Sequence, residues 1–231
     1  MIRGVLSLVL LLPLAALADQ KSQIRVQGNC ELKVLPDRGS ISFTVENQSK
    51  DQKDAVAKTT AQINKLKEKL TALKLADLEF KNTNYSVFPV REYENRQYVN
   101  KGTKALLTLE VTTSEIPRIG EAMDEASKAG VQNVSDLRTF LSLEKSQAEY
   151  LNCLDIASED AKKKAGQLAR KLGFKVGDVL EVVENPGVMA PQPEPMPVAR
   201  GMMKTMDAAP TQIEAGLHPF TASILVSFGI K

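Results

Sequence analysis

The chain has 231 residues, 43% of them apolar, with 30 basic and 28 acidic side chains, one histidine, two cysteines and no tryptophan. That charge balance excludes the broad basic face of a nucleic-acid binder and a polybasic membrane patch, and the scarcity of aromatics excludes an aromatic ligand cage. The apolar content suits a folded protein with one sizeable core or two small ones.

Arg3 is the first charge; Val5 to Leu17 is almost wholly apolar, Ala16-Leu17-Ala18 has a small-x-small pattern, and the polar run Asp19-Gln20-Lys21-Ser22 follows. This is the layout of a cleavable secretory signal, with cleavage expected after Ala18. The run is shorter than the roughly 20 residues a bilayer core requires, and no cysteine stands at the cleavage point to carry a lipid. The expectation is a 1–18 signal peptide and an exported, periplasmic 19–231 that does not span the membrane.

Residues 23–34 alternate strictly, with Ile24, Val26, Gly28, Cys30, Leu32 and Val34 on one face and polar residues on the other, which predicts a strand. Pro36-Asp37-Arg38-Gly39 reads as a tight turn, and Ile41, Phe43 and Val45 mark a second strand, expected to form an antiparallel hairpin with the first. Two cysteines in an oxidising compartment invite a disulfide. Cys30, on the apolar face of its strand, reads instead as a buried free thiol, as does Cys153 in a predicted helix.

Ser49 and Gln52 suit a capping box, and Val56, Ile63, Leu66, Leu70 and Leu73 form one apolar helical stripe behind it. Strands are expected near 79–88 and 103–112, joined by a long hairpin tip at 89–101 that carries Arg91, Tyr93, Arg96 and Tyr98. Interleaved tyrosine and arginine favour partner contact. Ser114 opens a short helix ending at Gly130, 137–143 reads as a strand, and Ser146 opens the longest helix, stopped by Gly173. Ala157, Ala161, Ala165 and Ala169 recur every fourth residue there, a stripe for close packing, with Gly166 beside it. After a strand at 178–183, residues 185–219 form a Pro- and Met-rich linker, and 220–230 alternate in a last strand expected to return to the main sheet.

No chemistry assembles. His218 precedes Pro219 and reads as a turn residue. There is no Gly-x-Ser-x-Gly elbow, phosphate-cradling loop or zinc spacing. Glu92 and Glu94 lie in an apparent loop, unsuited to general acid–base work. Met189, Met196, Met202, Met203 and Met206 are soft donors that would select Cu(I), or targets for oxidants. No catalytic, cofactor-binding or metal residue is therefore assigned.

Four stretches resemble the SIMPL-domain family of bacterial periplasmic proteins, of periplasmic immunogenic and oxidative-stress defence type. They are Ile24–Gly28 leading to Leu35-Pro36-Asp37, Thr83–Pro89, the alanine-rich run Asp160–Gly173, and Ile213–Gly216 before the last strand. The sequence departs from the family at Leu75-Ala76-Asp77 and at His218-Pro219. The resemblance implies a mixed, largely antiparallel sheet packed by two long helices and one short helix, an α+β class, and possible ring-like assembly with a part in envelope or oxidant resistance. The combined expectation is a non-enzymatic protein acting as a homo-oligomer or on an envelope protein partner. The rivals are a Met-rich metal- or oxidant-handling protein and an enzyme with an unrecognised site.

Overall fold

The computed structural model describes residues 22–131, 133–184 and 213–231, which hold seven strands and three helices. The class is α+β, and every strand pair is antiparallel. The strands divide between two sheets, each with its own helix layer and core.

The first unit runs β2 (Arg38–Ser49), α1 (Gln52–Ala72), β3 (Glu79–Glu94), β4 (Gln97–Thr113), α2 (Ile119–Lys128) and β5 (Asn133–Phe140), in sheet order β3-β4-β2-β5. With β4 inserted between β2 and β3, this is a split β-α-β arrangement. α1 buries Ala55, Thr59, Ile63, Leu66 and Leu70 against Ile41, Phe43, Leu109 and Val111. Its cap is Asp51, which accepts from the Lys53 N–H; Ser49, expected in that role, donates its hydroxyl to Asp54.

The second unit joins β1 (Gln23–Val34) to α3 (Leu143–Leu172), β6 (Val176–Glu184) and β7 (His218–Ile230), in order β1-β7-β6. α3 is capped by Ser142, one turn earlier than expected, and ends on Gly173 in the left-handed region. Its buried stripe is Cys153, Ala157, Ala161, Ala165 and Ala169. These short side chains let the helix approach so closely that a Cβ on Gly28 would stand 1.9 Å from the Ala157 carbonyl oxygen.

Three expectations are corrected. β1 and β2 are not a hairpin. β1 pairs with β7 from Gln23↔Gly229 to Val34↔His218, while β2 pairs with β4 and β5. Pro36 and Asp37 turn the chain from one sheet into the other, because the Asp37 carboxylate does not close a local turn: it accepts from the Ser142 N–H (2.7 Å) and hydroxyl (2.6 Å) at the start of α3. The last strand accordingly returns to the second sheet, not to the larger one. Third, Cys30 and Cys153 are joined in a disulfide, with Cα atoms 5.5 Å apart. Cys30 faces α3 from the inner side of β1, and the turn before Ala157 carries Cys153 onto it, a proximity that depends on the β1–β7 pairing.

Candidate functional site: a tyrosine and arginine arm

Pairing of β2 with β4 stops at Ser49↔Thr103, but β3 and β4 continue together to Glu94↔Gln97. The excess, residues 90–102, is a two-stranded arm projecting beyond the sheet. A free ribbon of two strands is marginal in water, so the arm needs support beyond its own ladder, and its residues make several such contacts. At the root, Gly102 has φ +110, and a Cβ there would meet the Ser49 carbonyl at 2.3 Å. The Gln48 side chain donates to the Lys101 carbonyl (3.0 Å) and the Asn100 side chain accepts from the Gly102 N–H (2.8 Å). A bulge at Val90/Arg91 leaves Lys101 unpaired in the ladder. Its ammonium then bridges Glu92 (3.7 Å) and Glu94 (2.7 Å) along one face. These glutamates, expected in a loop, are strand residues that share one ammonium.

The opposite face holds the tyrosines. Tyr93 and Tyr98 are directly paired, their rings edge-on at 5.1 Å, yet 64% and 75% exposed. Arg91 lies on the same face two residues from Tyr93. The turn is the two-residue kind that needs left-handed backbone twice, at Asn95 (φ 47) and Arg96 (φ 67). Asparagine suits that conformation. Arginine stands where glycine would be relaxed, at a cost of about 1 kcal/mol, and strain kept at an exposed tip points to a use for the side chain.

The remaining candidates disperse. His218 is buried and hydrogen-bonded to Thr139 at 2.9 Å, tying the start of β7 to the end of β5. Its side-chain partner there is the Thr139 hydroxyl, and no carboxylate joins the pair among the hydrogen bonds and ion pairs of the described residues. Met189, Met196, Met202, Met203 and Met206 lie outside the described residues. Among the described residues no three His, Cys, Asp or Glu side chains are placed to hold a metal ion, and no helix is long and apolar enough to cross a membrane. An open groove of about 350 Å³ lies between β1 and α3, and another of about 470 Å³ lies along β1 and β7.

The sequence model of the SIMPL family, described as a protein of unknown function (DUF541), matches residues 24–228. The 26 kDa periplasmic immunogenic protein of Brucella melitensis is 25% identical over 224 residues, covering 93% of this chain and 87% of that protein. The uncharacterized protein YggE of Escherichia coli K12 is 24% identical over 216 residues, covering 91% and 85%. YggE of Edwardsiella ictaluri is 23% identical over 220 residues, covering 94% and 90%.

Proposed function

This chain belongs to the SIMPL family, and on that premise we propose that it is an exported, non-enzymatic envelope protein that works by presenting its tyrosine and arginine arm to another protein surface, in the first place that of a second copy. The observation that carries this reading is the arm itself. It is stiffened on one face by ion pairs and leaves two paired tyrosines in water on the other. Preorganised aromatic anchors are what a binding surface needs, because little ordering remains to be done on contact.

Export rests on the 1–18 signal sequence, with removal after Ala18. Two facts support it: the Brucella relative is named periplasmic, and a Cys30–Cys153 disulfide suits an oxidising compartment. Light scattering of the purified protein, alone and as Tyr93→Ala/Tyr98→Ala, tests the role of the arm. Wild type should form a defined oligomer at high micromolar concentration that the double variant loses while keeping its fold. A wild-type protein that stays monomeric refutes self-association.

A further inference from the structure

Among the exposed charges that have no ion-pair partner in the described residues, Arg91 and Arg96 on the arm and Glu144 and Asp155 on the outer face of α3 are opposite in sign. On the arm, Lys101 holds both glutamates, while Arg91 and Arg96 are exposed and form no ion pair among the described residues. On α3, Glu144, Ala148, Leu151, Asp155 and Glu159 follow one another at helical spacing as a single outward stripe. Glu159 is paired with Lys163, but Glu144 and Asp155 have no partner among the described residues. A helix N-terminus favours acidic side chains over its first turn. That accounts for Glu144, but not for Asp155, three turns further on, nor for Leu151, which is 63% exposed between them.

The two surfaces are commensurate. Glu144 and Asp155 are about 16 Å apart along the helix at its rise per residue. Arg91 and the turn at Arg96 are about 13 Å apart along the arm, because Arg96 stands level with Asn95 in the two-residue turn. Tyr93 and Tyr98 lie between the arginines as Ala148 and Leu151 lie between the acids. We propose that the arm of one copy lies along α3 of a second copy, tyrosines on Ala148 and Leu151, Arg91 and Arg96 against Glu144 and Asp155. The contact is heterologous, each copy offering an arm and a stripe. This rests on the self-association reading above and supplies its acceptor surface. It also gives the strained Arg96 a task.

Charge exchange in the full mature chain tests it by light scattering at low ionic strength. Arg91→Glu/Arg96→Glu and Glu144→Arg/Asp155→Arg should each weaken association roughly tenfold or more when alone, because like charges then meet. Mixing the two variants should restore association, since acidic arms then face basic stripes. Arg96→Gly should raise the thermal midpoint and still weaken association, a pair of effects that a purely structural role does not produce. If wild type associates but the mixture stays dissociated, or neither reversal matters, the α3 stripe is not the acceptor and self-association uses another surface. A monomeric wild type removes both this inference and the reading beneath it.

Discussion

Gly28 has room for a hydrogen and little else. The alanine stripe of α3 sets its distance, and the Ala157 carbonyl occupies the place where a Cβ would go. Gly28→Ala should therefore lower unfolding stability by about 3 kcal/mol, the upper range for overpacking a tight contact, seen as a lower urea midpoint. Gly166 is the control. It was expected to share the packing of its alanine neighbours, but nothing lies within 4 Å of its Cβ position. Gly166→Ala should gain about 0.5–1 kcal/mol from helix propensity. Asp37 is one of the residues that tie the two units together. Burial alone would raise its pKa, but the Ser142 hydroxyl and N–H, with Lys145 nearby, outweigh this and hold the carboxyl below its ordinary 3.8. Folding thus lowers the pKa. The stabilisation is fully present above about pH 4 and is lost as pH falls through the folded value. Asp37→Asn should cost about 1–2 kcal/mol at neutral pH and flatten the acid limb of a stability–pH curve. An unchanged acid limb would mean that the Asp37–Ser142 contact does not contribute to acid sensitivity.

At the level of elements, the faces of strands and helices were legible and their partners were not. The alternation over 23–34 identifies an inner face with Val26, Cys30 and Val34, all buried, but period two says nothing about which strand lies alongside. A neighbouring Pro-Asp signal made the next strand the natural choice, and only the Asp37–Ser142 bonds, between residues 105 apart, reveal a bend into a second sheet. The disulfide was hidden for the same reason: burial looks alike for a thiol and for half a cystine. The free edge of β1 was hidden too. Its Asn29 N–H donates to Asp160 (2.8 Å) and its Gln27 carbonyl accepts from Lys164 (2.9 Å), so two helix side chains take the place of a further strand and blunt the edge. The arm, by contrast, could be read directly, since tyrosine and arginine in a hairpin tip need no long-range pairing to be exposed. The disulfide matters to the element it holds. The helix of the second core, α3, buries one cysteine and four alanines where α1 buries isoleucine and leucine, so its side of that core contributes less apolar surface. Closing a separation of 123 residues restricts the unfolded chain by about 4 to 5 kcal/mol on the loop-entropy model. Cys30→Ala/Cys153→Ala should lose much of that, and a thiol titration of the denatured, unreduced wild type should find no free groups. Two free thiols per chain would overturn the bridge.

At the scale of the molecule, the first unit is inserted into the second. β1 comes before it in the chain, whereas α3, β6 and β7 come after, so 38–140 lies inside the second unit. This nesting sets an order of assembly. The βαββαβ unit closes through neighbouring elements: α1 follows β2 directly and β3 turns straight into β4. Pairing β1 with β7 must instead bring together residues such as Gln23 and Gly229, almost the whole chain apart. Non-local pairing carries the larger closure entropy and forms late. Its ends are brought near each other by the folded insert, through Asp37 on Ser142 and His218 on Thr139. The second unit therefore depends on the first, and not the reverse. Native-state hydrogen exchange should show β1 and β7 amides opening at lower free energy than those of β2 and β4, with the gap widened by reducing the disulfide. Phe43→Ala, in the insert's core, should cost about 3–5 kcal/mol and speed exchange in both sheets. Gly28→Ala should speed it in β1 and β7 while leaving β2 and β4 protected. Equal loss of protection in both sheets on Gly28→Ala would show a single cooperative unit and reject the nested order.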